Sequence, residues 1–220
     1  MLKRLIKYDL KDTWTSMLLI CAVTIIAGFA LKILGSSYSD LLVLLCLLCD
    51  FILLVCSILP TLYICMNYYK SLYTNEAYLT FTLPVKRTCI ISSKIIVGSI
   101  WLAITSVPSI LVILGDEING FAAIPYLILL EIINLLICFL SITVGRSWFK
   151  KPLTGIALCY MGFMFLFVIL LILAYYITES LRWNMSPSGF GILEEICMTI
   201  FIIFLYGANL FVATRKINLT

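Results

Sequence analysis

Six long apolar stretches follow one another along the chain, and each is long enough to cross a bilayer as a helix. A crossing helix needs about 20 apolar residues for a hydrocarbon core of roughly 30 Å. Backbone polar groups find no partner in lipid, and the short alternating segments of a barrel are absent, so each stretch is predicted to be helical. The stretches cover 13–34, 41–66, 95–114, 121–144, 153–177 and 192–213.

The composition supports the same conclusion. With 63% hydrophobic and only 12% charged residues, a chain of 220 residues could not bury its apolar surface in water. We therefore predict an all-α, polytopic membrane protein with six transmembrane helices, forming a single transmembrane domain over residues 1–220. The expected location is a cell membrane, as a multi-pass protein.

Lysine and arginine are distributed very unequally between the two predicted faces. Thirteen of the 15 lie in segments that an even number of crossings puts on one side, and only Lys32 and Arg182 lie on the other. Positive charge marks the cytoplasmic side, so both termini are predicted to be cytoplasmic. The net charge of +4 then reflects topology and anionic lipid rather than nucleic acid. The thirteen are Lys3, Arg4, Lys7, Lys11, Lys70, Lys86, Arg87, Lys94, Arg146, Lys150, Lys151, Arg215 and Lys216.

The first twelve residues have an amphipathic pattern. An apolar face carries Leu2, Leu5, Ile6 and Leu10, and lysines flank it. This pattern predicts a helix over 1–12 that lies in the plane of the inner leaflet before the first crossing. The alternative is a basic flank without a separate structural role.

Several kinds of chemistry are excluded by what the sequence lacks. It has no Gly-x-x-x-x-Gly-Lys-Ser/Thr loop for ATP, and it has no histidine, which removes most metal sites and the usual general base. The nine cysteines avoid the predicted outer connections, so no disulfide framework is expected. We expect no catalytic residue, no metal and no cofactor on this chain.

The connection between the second and third stretches is the longest, and it covers residues 67–94. Tyrosines and Leu72 recur at roughly helical spacing until Pro84 breaks the run, and Ser92 and Ser93 are candidate N-caps of the next helix. The pattern predicts a short amphipathic helix, a turn, and re-entry into the membrane. Two interpretations stay open, an ordinary loop on the lipid surface and a surface for a partner protein.

Three segments carry a resemblance to a known family. The run EAYLTFTLPVKR (76–87), with Ser93 and Lys94, resembles the cytoplasmic segment of permease subunits of type-2 ABC exporters from Gram-positive bacteria. The opening LIKYDLKDTW (5–14) is similar to their in-plane elbow helix. The stretch SITVGRSWFKKP (141–152) is similar to their turn between the fourth and fifth helices.

The resemblance implies that the permease subunits form the path for the cargo and that a different subunit hydrolyses ATP. A second permease subunit, identical or different, would pair with this chain, and a separate nucleotide-binding ATPase would dock on the inner face and carry ATP and Mg²⁺. Residues 67–94 would couple the two, mainly through Glu76, Tyr78, Leu79 and Pro84, with Lys86 and Arg87 as charges at the rim. The cargo would be an amphiphile or peptide, such as a bacteriocin or antimicrobial peptide.

Two carboxylic acids lie deep inside the apolar stretches. Asp50 and Glu131 each lie nine or ten residues from the predicted outer end of a crossing, which is roughly 13–15 Å deep, and Asn134 shares a helix face with Glu131. Placing such a carboxyl near the bilayer centre costs about 2.5–3.5 kcal/mol. One hypothesis is a polar substrate path formed by Asp50, Glu131 and Asn134. The alternative is a pair of neutral carboxyls bonded between helices or across a dimer contact.

Two other classes of protein stay open as alternatives to an exporter subunit. An ion-coupled carrier or channel would use Asp50 and Glu131 directly, although no inverted repeat is visible in the sequence. A scaffold or immunity protein would only bind a partner.

Residues 178–191, which include a Ser-Pro-Ser-Gly turn, are predicted to form an outer loop.

Overall fold

The structure, a computed structural model, describes residues 2–34, 40–74, 86–113, 120–181 and 187–216. Within these ranges it is all-helical, with six helices that are each long and apolar enough to cross a membrane. This confirms the predicted helical class and the predicted number of membrane-spanning helices. The helices are α1 (Leu2–Leu34), α2 (Asp40–Tyr73), α3 (Arg87–Ile113), α4 (Gly120–Trp148), α5 (Pro152–Leu181) and α6 (Pro187–Lys216).

The helices extend beyond the apolar stretches that predicted them. The longest, α2, has 34 residues and is therefore about 51 Å long, against a hydrocarbon core of roughly 30 Å. The first helix runs without interruption from Leu2 to Leu34, so the segment 1–12 is continuous with the first crossing. Its orientation in the membrane plane and the cytoplasmic position of the termini stay predictions.

The end of α2 corrects part of the predicted connection 67–94. Residues 67–73 continue α2 instead of forming a separate amphipathic helix, and Tyr68 and Leu72 are buried within the chain. The helix ends where the Thr74 hydroxyl and backbone N–H both donate to the carbonyl of Lys70, at 2.6 and 3.3 Å. Hydropathy falls here because the chain leaves the apolar layer, but the helical hydrogen bonds continue.

The start of α3 corrects the predicted N-caps. The helix begins at Arg87, five residues before Ser92, and the N–H of Cys89 donates to the carbonyl of Lys86 at 2.9 Å. Ser92 and Ser93 are therefore buried positions inside the helix, and the Ser93 hydroxyl donates to the carbonyl of Ile90. The N-cap prediction was wrong because these serines serve helix packing.

The flanking helices extend into both ends of the predicted outer loop 178–191. Helix α5 continues to Leu181, and α6 begins at Pro187, so both described ends of the segment are helical. Proline suits the first position of a helix, because its missing N–H would have no intrahelical partner there. Pro187, Ser188 and Gly189 thus form the first turn of α6.

The chain divides into two compact units, Met1–Ile128 and Leu129–Thr220. In the first unit α1 packs against α2 and α3, and α2 also contacts α3. The contact face of α1 is a stripe at helical spacing, which explains why small and polar residues recur along an apolar helix. The buried residues of this stripe are Thr13, Met17, Cys21, Thr24 and Ala27.

The second unit contains most of α4 together with α5 and α6. Helices α5 and α6 contact each other, and the rings of Phe167 and Phe201 stack with centroids 5.5 Å apart. The Asn209 side chain of α6 is fully buried and donates to the carbonyl of Leu136 on α4 at 3.0 Å. This amide therefore connects α6 to α4 through a group that lipid could not satisfy.

Candidate functional site

The most connected polar side chains of the first unit lie where α1 meets α3, and we call them the α1–α3 polar cluster: Asp9, Thr13, Ser93, Lys94 and Trp101. The ammonium of Lys94 donates to one carboxylate oxygen of Asp9 at 2.7 Å. The hydroxyl of Ser93 donates to the other at 2.9 Å. The Asp9 and Lys94 side chains are each only 15% exposed, so the ion pair is partly shielded from solvent.

A second layer of the cluster lies one turn further along α1 and two turns further along α3. The indole N–H of Trp101 donates to the hydroxyl of Thr13 at 2.8 Å, and that hydroxyl donates in turn to the carbonyl of Asp9 at 2.9 Å. Trp101 is fully buried, and Trp14 meets it edge to face with centroids 5.8 Å apart. A buried indole that finds a hydrogen-bond partner contributes both packing and orientation.

The order of these contacts defines how the two helices run. Asp9 meets Ser93 and Lys94, and Thr13 meets Trp101, so both helices advance in the same direction through the cluster. Parallel packing is what two crossings from the same side of a membrane require. The cluster therefore fixes the start of α3 against α1.

The predicted coupling residues divide into two groups. Glu76, Tyr78, Leu79 and Pro84 lie outside the described residues, and their role stays a prediction. Lys86 and Arg87 are described, and both are exposed where α3 begins. Lys94 follows Arg87 by seven residues, so the ion pair lies about 10 Å along the helix from this end of the connection.

The predicted substrate-path residues are only partly described. Asp50 lies within α2, but its side chain lies outside the described part of the chain. Glu131 and Asn134 are half-buried on α4. The hydroxyl of Tyr160 on α5 donates to the Asn134 side-chain oxygen at 3.1 Å, and the Cys138 thiol lies 4.0 Å from the same atom.

Glu131 differs from its polar neighbour. Among the described residues it forms no hydrogen bond and no ion pair, although it lies one turn before Asn134. Asp50 and Glu131 belong to different compact units, and their common depth stays a prediction. Sequence reasoning found Glu131 and Asn134 but missed Tyr160, which is the residue that engages the amide.

Asp9 was also missed, although the sequence contains a signal for it. It is an acid on the same helical face as Leu2, Leu5 and Thr13, where an apolar or small residue is expected. An acid on the packing face of a helix usually has a basic partner, because a buried charge without one is costly. The choice of Lys94 as that partner depends on how α1 and α3 pack.

No group of three histidine, cysteine, aspartate or glutamate side chains that could hold a metal ion occurs among the described residues. The cysteines for which the structure describes a side chain form no disulfide with one another. A scan against protein-family models found no match for the chain, and searches of the curated proteins and of the solved structures found none either.

Proposed function

We propose that this chain is the membrane-spanning subunit of an ABC exporter, with an amphiphilic or peptide cargo. A second permease subunit completes the translocation path, and ATP is hydrolysed on a separate nucleotide-binding ATPase. The chain lies in a bacterial cytoplasmic membrane with both termini in the cytoplasm. The distribution of lysine and arginine and the sequence of residues 76–87 support this proposal.

The structural observation that favours this proposal most is the α1–α3 polar cluster. It lies just after the connection between α2 and α3, where the partner ATPase would bind. The ion pair between Asp9 and Lys94 and the bond between Trp101 and Thr13 join this end of α3 to α1. A push on the connection would therefore move two crossings together, which is how force from an ATPase would reach the membrane.

The N-terminal segment 1–12 belongs to the same inner region in this proposal. Its exposed lysines, Lys3, Lys7 and Lys11, face the phosphate layer, and its opposite face leads into the stripe by which α1 packs. Anionic headgroups attract such side chains. The segment would thus hold the inner end of α1 at the membrane surface while Asp9 holds α3.

The substrate path is proposed to include Asp50, Glu131 and Asn134. A half-buried carboxyl beside an amide would favour a cationic or amphipathic cargo. We expect Asp50→Asn and Glu131→Gln to lower export activity in a transport or resistance assay. Unchanged activity in both variants, at normal expression, would exclude a role of Asp50 and Glu131 in the substrate path. It would not bear on the proposed binding of an ATPase.

The second candidate function is an ion-coupled carrier. It is favoured by Glu131, which is half-buried and has no hydrogen-bonding partner among the described residues. Such a carboxyl could bind a proton or another cation. Transport by the isolated chain that depends on a proton gradient, without ATP, would support this candidate and contradict the exporter.

Co-purification tests the exporter proposal. The tagged chain is purified in mild detergent from its native cell, and the associated proteins are identified by mass spectrometry. We expect a P-loop ATPase in near-stoichiometric amount, which Leu79→Asp or the pair Glu76→Ala with Pro84→Ala removes. The control is Ile118→Asp, the same type of change in the connection between α3 and α4. A chain that purifies alone would contradict the proposal.

A further inference from the structure

The short turn between α4 and α5 carries a dense positive charge, and we call residues 146–151 the α4–α5 corner. Arg146, Lys150 and Lys151 all lie within these six residues, and all three are exposed. No acidic residue occurs between Glu131 and Glu179 in the sequence, so the cations of this stretch are not interspersed with acids. The corner is therefore a cationic surface at one end of two membrane-spanning helices.

Two glycines fix the shape of the corner by letting the helices touch at their backbones. A Cβ atom added at Gly145 would lie 2.6 Å from the backbone nitrogen of Ile156. One added at Gly155 would lie 2.5 Å from the Cβ of Phe149. Such distances leave no room for any side chain, so glycine is required at both positions. The tip between them is consequently held in one arrangement.

Hydrogen bonds complete this arrangement on both sides of the tip. The N–H of Phe149 donates to the carbonyl of Gly145 at 3.3 Å, which closes α4. The N–H of Gly155 donates to the carbonyl of Lys151 at 3.1 Å, and the Thr154 hydroxyl donates to the same carbonyl at 3.0 Å. The backbone that carries Lys150 and Lys151 is thus bonded into a helix on either side.

The surroundings of the corner are apolar and exposed. Trp148 is 69% exposed, and Leu153, the second residue of α5, is 81% exposed. The most apolar window of α5 contains no buried residue, so this helix offers an apolar surface that the acyl chains of lipids can cover. Because the corner directly precedes α5, the headgroups of the same lipids lie level with its cations.

We propose that the α4–α5 corner is a binding site for the headgroup of an anionic phospholipid. Lys150, Lys151 and Arg146 supply positive charge for the phosphate, Trp148 lies at the depth that amphipathic rings prefer, and Leu153 contacts the upper acyl chain. The two glycines hold these groups in place before lipid binds. The site is independent of any ATPase partner and of the cargo.

The first test compares lipid retention with and without the two lysines. The full chain is reconstituted in nanodiscs of phosphatidylcholine mixed with phosphatidylglycerol, and native mass spectrometry counts the phosphatidylglycerol that it retains. We expect Lys150→Gln with Lys151→Gln to lower the apparent affinity about fivefold for each charge removed. The matched control is Lys70→Gln with Lys216→Gln, which removes the same charge elsewhere and should retain the lipid.

The second test separates a built site from general attraction by charge. Gly155→Ala displaces Phe149 without altering any charge, and it should also lower phosphatidylglycerol retention, whereas Gly162→Ala, with nothing within 4 Å of the added Cβ, should not. Equal losses in both lysine pairs, or full retention in Gly155→Ala, would overturn the proposal. So would loss of a co-purifying acidic protein from the corner variant while its lipid retention stays unchanged.

Discussion

Helices α3 and α5 are both apolar enough to cross a membrane, yet they differ strongly in how much of each is buried within the chain. In their most apolar windows, 56% of the residues of α3 are buried, against none of those of α5. Helix α5 is also the more apolar of the two. Lipid cannot hydrogen-bond to polar side chains, so the helix that carries serine, threonine and lysine packs against protein. The more apolar helix, α5, has no buried residue in its window.

The two helices also differ in how they are attached. Helix α3 is joined to α1 by polar side chains, through Lys94 and Trp101. Helix α5 begins at a contact that depends on the absence of side chains, at Gly145 and Gly155. The first joint consists of an ion pair and hydrogen bonds between side chains, and the second is a close contact at two glycines. Substitutions that affect one joint should leave the other intact.

The largest effect should come from the buried tryptophan of α3. We expect Trp101→Ala to lower the free energy of unfolding by about 3–5 kcal/mol, because it leaves a cavity and removes the bond to Thr13. Trp148→Ala, at a 69% exposed position, should cost far less. Reversible unfolding in detergent micelles measures both. Equal losses of unfolding free energy in Trp101→Ala and Trp148→Ala would mean that burial of the tryptophan does not determine its contribution to stability.

An intermediate effect is expected at the start of α5, and its sign should depend on position. Gly155→Ala should destabilise the protein by about 1–3 kcal/mol, because the new methyl group overlaps Phe149. Gly162→Ala in the same helix meets nothing, and it should be neutral or stabilise by up to about 1 kcal/mol. The same unfolding assay compares the two variants. Destabilisation by both would show that glycine is needed along α5 for another reason.

The smallest effect should come from the ion pair. Asp9→Ala should cost about 1–2 kcal/mol, since Lys94 loses its carboxylate acceptor and Ser93 keeps only the carbonyl of Ile90, while some solvent still reaches the ammonium. Asp12→Ala removes an exposed acid three residues later and should change little. A double-mutant cycle with Lys94→Ala isolates the coupling. Additive losses would contradict a direct interaction between Asp9 and Lys94.

The sequence predicted the six crossings but not their ends. Hydropathy reports where lipid begins, while a helix ends where its hydrogen bonds are capped, so α2 continues to Tyr73 and α3 begins at Arg87. The position of Asp9 on a packing face was visible in the sequence. Its partner was not, because the pairing with Lys94 depends on how two helices pack. The overlap of Gly155 with Phe149 likewise depends on tertiary geometry.

The central claim is the proposal that the connection between α2 and α3 binds an ATPase. Photo-cross-linking tests it most directly, with a benzophenone amino acid incorporated at Leu79 or, as the control, at Ile118 in the connection between α3 and α4. We predict that position 79 forms an adduct with a P-loop ATPase in native cells and that position 118 does not. No ATPase adduct at 79, or equal adducts at both positions, would contradict the account.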